Sequence, residues 1–327
     1  MANTVTELLL TPNTGWGKTT ATPKPSGGGI GEQGKVRVSV ASHQAVSRGD
    51  GTASPTSSEE ATYGGGQSQE LQPQVVWGYC LLQGLSGRPM EDLHVAEVRT
   101  INEEEVAFFG IFDAHNGDAA AKYLQDHLFD NILNEGGVQS DPAGATRDAY
   151  LLTDRDMLAS PLEKGGSTAV TAMVYGKGSR LIVANLGDSR AVLSKNGEPM
   201  QLSVDHDPGR PTERAIVEAR GGHVTHLPGD QWRVDGLLAL TRAFGDKELK
   251  EHMSSKLDVA DVVVDLSCEF LVLGSNGLFS MYDNQEVVDR VRRCQDPVKA
   301  AHELVVEARR RYCEDDISCI VIKFQEL

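Results

Sequence analysis

The sequence predicts an α+β fold, a sandwich of mostly antiparallel sheets with pairs of helices packed outside. Three observations lead there. Strand-like runs come in groups, three before the first helices and three after them. Helical segments come as adjacent pairs, at 117–135 with 143–159 and at 283–294 with 296–311, and not as the single crossovers of a parallel α/β sheet. Asn196-Gly197, set in an apolar alternation, is a two-residue hairpin signal and marks an antiparallel pair.

The elements follow in chain order. Residues 1–70 are rich in Gly, Ser, Thr, Pro and Gln and cannot bury enough apolar area to offset their ordering entropy, so they are expected to form a disordered tail, with the folded domain spanning 71–327. Within the tail, "KVRVSV" (35–40) alternates like a strand, but a short polar alternation in a tail explains it as well. Strands are expected at "VVWGYCLLQG" (75–84), "VAEVRT" (95–100) and "VAFFGIFD" (106–113). The segment 117–135 has helical spacing, with Ala120, Tyr123, Leu124, Leu128 and Ile132 on one face, and 143–159 is its partner. Strands return at 167–176, 180–187 and 190–202, the last containing the hairpin signal. "TERAIVEARGG" (212–222) is a short helix stopped by glycine, and "EFLVLGSNG" (269–277) a buried strand. Two helices with acidic starts and basic ends, as the helix dipole favours, precede a closing strand at 317–324.

Charge and cysteine content narrow the function classes. The formal net charge is −16. Residues 1–70 hold 5 basic and 6 acidic side chains, so about −15 of that charge falls on 71–327. Such a body is a poor partner for nucleic acid or an anionic membrane, and suits cations or a substrate with its own basic residues. Five cysteines without a CxxC pair argue against a disulfide framework or structural zinc, and for a reducing compartment. The "LLL" run at 8–10 is too short for a signal peptide or a membrane span, and Met1-Ala2 excludes N-myristoylation. A monomer is expected, in the cytoplasm, with the nucleus as the alternative.

Carboxylates recur where predicted strands stop: Asp113 after "FFGIF", Asp188 after "LIVANLG", Asp315 and Asp316 before "ISCIVI", Glu91 and Asp92 between the first two strands, and Asp246 after "LLALTRAFG". Such groups can converge in one cleft, where an all-oxygen cluster selects a hard cation such as Mg²⁺ or Mn²⁺. Taken singly, each is also ordinary turn chemistry. Other constellations are weaker. Ser167-Thr168 after two glycines lacks the P-loop lysine, "GDSR" (187–190) is no hydrolase elbow, and His223 and His226 read as surface residues.

Eight blocks in order then carry a resemblance: "MEDLH" (90–94), "FDAHNG" (112–117), "GGSTAV" (165–170), "ANLGDSRAVL" (184–193), "LSVDHDP" (202–208), "GLLALTRAFGD" (236–246), "FLVLGSNGLFSMYDNQEVV" (270–288) and "DDISCIVI" (315–322). From about Val75 to Phe324 the chain resembles the PP2C (PPM) metal-dependent protein serine/threonine phosphatases. The resemblance implies two antiparallel sheets flanked by antiparallel helices, and a pair of Mg²⁺ or Mn²⁺ ions in a cleft at one end that acidify a water for attack on phosphorus. Carried over residue by residue, it implies Asp113 between both ions, Glu91 and the carbonyl of Ala114 on the second, Asp315 on the first, His115 as proton donor to the leaving oxygen, and Arg88 as the grip on the phosphate.

The chain departs from the family pattern at several of these places. The loop Asp-Gly-His-Gly-Gly reads Asp113-Ala114-His115-Asn116-Gly117, and a need for positive φ at the first glycine would strain Ala114. Asn276 stands where the family has a metal-binding aspartate, Ser280 at a second aspartate, and Glu163 at the position matched to a third-metal aspartate. A single Pro89 separates Arg88 from Met90, which puts the reach of Arg88 in question. Asp316 adds a carboxylate that partly compensates. One ion, or weak binding, is therefore expected. The expected function is a pseudophosphatase acting through a phosphoprotein or regulatory partner. The alternatives are an active Mg²⁺/Mn²⁺-dependent protein phosphatase, or a cleft turned to another phosphorylated molecule.

Overall fold

The computed structural model describes residues 61–162 and 164–325. The expectations for 1–60, including the strand at 35–40, and for Glu163 lie outside them. In chain order the elements are β1 (Thr62–Gln67), β2 (Gln74–Leu82), β3 (Leu93–Ile101), β4 (Glu104–Phe112), β5 (Ala114–His115), α1 (Ala119–Asn134) and α2 (Pro142–Ala159). Next come β6 (Gly166–Ser167), β7 (Ala169–Tyr175), β8 (Arg180–Leu186), β9 (Arg190–Lys195), β10 (Glu198–Gln201), α3 (Pro211–Ala219), β11 (Val224–His226) and β12 (Trp232–Val234). The chain continues through β13 (Phe244–Gly245), β14 (Asp258–Val263), β15 (Cys268–Gly274), α4 (Asn276–Phe279), α5 (Asn284–Arg292), α6 (Pro297–Arg310) and β16 (Ile317–Gln325).

Two antiparallel sheets form the sandwich, one in the order β1-β2-β16-β15-β9-β10 and the other β14-β8-β7-β4-β3. The apolar run in β4 shows why the strands read as continuous apolar stretches. Successive side chains point to opposite faces. Phe109 and Ile111 pack between the sheets with Trp77, Leu271 and Ile322. Phe108 and Phe112 face outward and are covered by Leu124, Leu128 and Tyr150 of α1 and α2. On the opposite side, Val272 and Val321 lie under Val287 and Leu304 of α5 and α6. The helix starts have a common device: the side chains of Asp141, Asp283 and Asp296 accept the N–H of Gly144, Glu286 and Val298 at 2.9, 2.8 and 2.9 Å. The hairpin at Asn196-Gly197 has φ of 51° and 85°, both positive as its turn type requires.

Three expectations need correction. The disordered tail does not extend to residue 70, because Thr62–Gln67 is strand β1, paired from Thr62↔Leu81 to Gln67↔Val76. Its glycines, which suggested a tail, allow it to lie against large rings: a Cβ at Gly64 would stand 2.6 Å from the Tyr79 hydroxyl, and one at Gly66 2.5 Å from the Trp77 ring. The strand expected over 269–277 ends at Gly274, and Asn276–Phe279 is one helical turn. Strand β14 was not foreseen; its side chains are at least partly exposed, and it borders the sheet beside β8. No helix among the described residues is long and apolar enough to cross a membrane.

Gly78 of β2 lies directly under the start of α6, where a Cβ would stand 2.2 Å from the backbone nitrogen of Val298. Backbone cannot give way as a side-chain tip can, so Gly78→Ala is expected to destabilise the protein by about 3 kcal/mol, measured as a fall in urea midpoint at unchanged slope.

Candidate metal centre

The strand ends deliver the carboxylates to one end of the sandwich. Strand β4 stops at Asp113, whose carbonyl accepts the Thr168 N–H at 2.8 Å. Strand β8 stops before Gly187-Asp188, and Gly187 (φ 114°) lies so close to Thr168 that a Cβ would meet it at 2.5 Å. Two further glycines draw the surrounding loops onto the segment before β16. A Cβ at Gly84 would stand 2.1 Å from the carbonyl oxygen of Asp315, and one at Gly277 2.0 Å from that of Asp316.

Arg88, Glu91, Asp113, Ala114, His115, Asn276 and Asp315, the residues singled out from the sequence, all line one cavity of about 280 Å³, together with Asp188 and Asp316. It borders a larger cleft of about 1050 Å³, to which Arg88, Asp188, Asn276 and Asp315 also contribute. Arg88 is exposed at the rim, its Nε 3.5 Å from the Ser86 hydroxyl, so the single intervening Pro89 does not keep it from the cleft. Ala114 has no positive φ and sits in β5 opposite Ser167, so the anticipated strain is absent; Asn116 takes the left-handed conformation at φ 60°. Glu91 steadies this loop by accepting the Gly117 N–H at 2.9 Å. Asp316 lines the cavity while held by backbone donors. Its two oxygens accept the N–H groups of Gly84 (3.0 Å) and Glu91 (2.8 Å), which clamps the loop before β3 to the start of β16.

The electrostatics show what the cavity lacks. Asp113 Oδ2, Asp188 Oδ1 and Asn276 Oδ1 are buried without a hydrogen-bond partner. Burial, reinforced by Asp92, Asp188 and Asp315, pushes the Asp113 carboxyl well above its usual range. Asp92, buried and hydrogen-bonded by Ser318 at 2.6 Å, is pushed up to about 8 by burial and then by Asp316 and Asp315. Asp188 is raised to about 7, by burial first and the charge of Asp205 second, while the Asn276 amide donates to it and opposes the rise. Orphaned hard oxygens and carboxylates that repel one another fit a Mg²⁺- or Mn²⁺-sized cation. The fit is incomplete, because no three His, Cys, Asp or Glu side chains among the described residues already close around a common point.

The sequence flagged Asp188, Asp92 and Asp246 only as strand-end carboxylates. Their spacing does not reveal that Asp188 shares the cavity with Asp113, or that Asp246 Oδ1 lies 2.8 Å from His115 Nε2. His223 and His226 are exposed, and all five cysteines are free and buried.

A helix-flanked antiparallel sandwich with a carboxylate cleft at its sheet ends defines the architecture of the metal-dependent protein phosphatases. The chain belongs to the protein phosphatase 2C family, whose profile matches residues 84–317. It is 46% identical over 263 residues to probable protein phosphatase 2C 17 of Arabidopsis thaliana, covering 80% of this chain and 93% of that one. It is 48% identical over 265 residues to probable protein phosphatase 2C 62 of Oryza sativa subsp. japonica, covering 80% and 91%. Among solved structures, a serine-threonine phosphatase 2C from Toxoplasma gondii matches with a TM-score of 0.65 at 21% identity, over 82% of this chain and 100% of that one. A C. elegans sex determining protein matches at 0.68 and 23% identity, over 76% and 64%. At these identities the structural likeness speaks for the fold alone.

The raised carboxyls set a pH dependence. Asp92 and Asp188 keep their protons to about pH 8 and about pH 7 in the folded, cation-free chain, but lose them near the ordinary aspartate value of 3.8 when unfolded. Their contribution to stability is complete below the unfolded value and is lost as the pH rises through the folded values. Calorimetry in EDTA should therefore show melting falling from pH 6 to pH 8.5, beyond the change in a variant with Asp92→Asn and Asp188→Asn. Stabilisation by added Mn²⁺ should grow over the same range, because the cation displaces those protons.

Proposed function

We propose that this protein recognises phosphoserine or phosphothreonine in partner proteins through a divalent-cation cleft and hydrolyses it weakly or not at all, which makes it a pseudophosphatase in practice. The observation that carries this reading is Asn276. It lines the same cavity with a buried amide oxygen that has no hydrogen-bond partner, and its amide and backbone N–H draw the Asp188 and Asp113 carboxyls down where the family pattern has a further carboxylate. Two divalent ions bring four positive charges. Asp113, Asp315 and Glu91 oppose them with three, and Asp316 is committed to backbone N–H groups.

Asp113 would serve both cations: with Asp315 and the Asn276 oxygen it would hold the one weakened by the missing charge, and with Glu91 and the Ala114 carbonyl the other. When bound, such ions supply positive charge for the phosphoryl group and lower the pKa of water. The chain's own residues do the rest. Arg88 holds the phosphate by its planar fork at the cleft rim, and His115 carries the proton for the departing oxygen. Acidic side chains across the larger cleft, Asp207 and Glu314 among them, favour a partner with basic residues near the phosphate. The absence of a long apolar helix from the described residues and the acidic body suit a cytoplasmic monomer.

An active phosphatase is the second reading. The relatives' names favour it, as does Asp188, a carboxylate in the same cavity that can take up part of the missing charge.

Isothermal titration with Mn²⁺ and hydrolysis of a phosphopeptide separate the two readings. The unmodified protein is expected to bind one ion clearly and to show negligible turnover at millimolar Mg²⁺. Asn276→Asp should tighten the weaker ion by roughly tenfold or more, since one added charge near a cation is worth a few kcal/mol at the effective dielectric of a partly wetted site. Robust turnover by the unmodified chain would falsify the pseudophosphatase reading. Asp113→Ala is expected to abolish Mn²⁺-dependent thermal stabilisation; if the shift survives, the cation sits elsewhere.

A further inference from the structure

We infer that Asp246 is a positioning residue for His115: it holds the imidazole by Nε2 and so reserves Nδ1 for the cleft. The inference rests on the reading of the cavity as a phosphoryl-transfer site and adds a residue to it.

The geometry is built by the three-stranded sheet β13-β6-β5. In its register Gly166 stands between His115 on one side and Gly245 on the other. Neither glycine carries a side chain, so the His115 ring and the carboxylate that follows Gly245 meet across the middle strand. A Cβ on Gly166 would stand 2.2 Å from Asp246 Oδ2 and close that space. Asp246 pays for its place with a left-handed backbone at φ 49°, and its N–H donates to the Gly165 carbonyl at 2.9 Å. The Gly245 N–H is fixed in turn by the buried Asp154 carboxylate at 2.9 Å. The result is a carboxylate only 8% exposed, with Oδ1 2.8 Å from His115 Nε2 and Oδ2 buried without a partner. Lys250, a cation that feels the charge of Asp246, is occupied by Asp154, Ser255 and the Ala243 carbonyl. His115 is thus the side chain that this carboxylate serves.

A carboxylate on one ring nitrogen fixes tautomer and orientation, so Nδ1 is the nitrogen left to carry a second proton. The proton available to substrate is then the one on Nδ1. As a water oxygen bonds to phosphorus, the ester P–O bond breaks and its electron pair goes to the serine or threonine oxygen, which takes that proton. The ring is left with its other proton on Nε2, facing Asp246, and the proton released by the attacking water restores the one on Nδ1.

The test uses the full-length chain, unmodified and with Asn276→Asp, each combined with Asp246→Asn and Asp246→Ala. A serine leaving group needs a proton and p-nitrophenolate does not. The ratio of phosphopeptide to p-nitrophenyl phosphate turnover should therefore fall at least tenfold in both Asp246 variants. An equal loss on both substrates would mean a merely structural role and overturn the inference. Long-range ¹H–¹⁵N spectra of His115, recorded without added metal, give a readout that needs no turnover. The unmodified chain should show a proton held on Nε2 and shifted strongly downfield. Asp246→Ala should lose it, or Asp246→Asn should shift it upfield if the alanine variant does not fold. An unchanged imidazole spectrum sinks the inference. If no form hydrolyses phosphopeptide, the proposed proton transfer to the leaving oxygen falls, and the spectra alone decide whether Asp246 positions the ring.

Discussion

Like charges cannot be gathered in a dry place without something to neutralise them, and this constraint governs one whole end of the molecule. Two carboxylates about 4 Å apart oppose each other by about 4 kcal/mol at the effective dielectric of a partly wetted site. Asp113, Asp188, Asp92 and Asp315 are held within mutual influence, and the raised carboxyls are the visible consequence. Three means of relief are available: protons, cations and internal hydrogen-bond donors. The third serves Asp316 fully and Asp188 in part, through Asn276, while Asp113 and Asp188 each keep a buried oxygen without a donor.

Such crowding persists only because the scaffold is stiff where it matters. The strands that carry the carboxylates are buried on both faces, between the sheets and under the helix pairs. Their ends therefore have little freedom to splay apart. Close backbone approaches at Gly84, Gly187 and Gly277 draw the intervening loops inward, where any side chain would hold them off. Asp92 adds a buried hydrogen bond from Ser318, joining residues 226 positions apart. Removing a buried partner of this kind leaves a carboxylate that neither water nor protein satisfies.

Much of this was legible in the amino-acid order because apolar runs, helix caps and the Asn196-Gly197 turn are local signals. The run Phe108–Phe112 announced a strand buried on both faces, and its ending at Asp113 announced a polar site. The resemblance blocks supplied Glu91, Ala114, His115 and Arg88, which periodicity alone could not select. What escaped was set by tertiary approach. The glycines of β1 read as flexible tail because nothing local says that Tyr79 and Trp77 lie against them. Asp316 read as a spare ligand because its backbone donors, Gly84 and Glu91, come from 232 and 225 residues away. Asp246 read only as one more strand-end carboxylate, since its meeting with His115 crosses an intervening glycine strand.

The place of β16 in its sheet has a consequence for the making of the protein. This last strand pairs with β2 on one side and β15 on the other, deep inside a six-stranded layer. A ribosome adding roughly 5–20 residues each second presents it after every other strand of that layer. Until then the first-made strands of that layer lie unjoined to the rest, and Asp315 and Asp316 are absent from the end of the sandwich. The cleft thus cannot form before that strand emerges. It closes only when β16 slots between neighbours made many seconds apart.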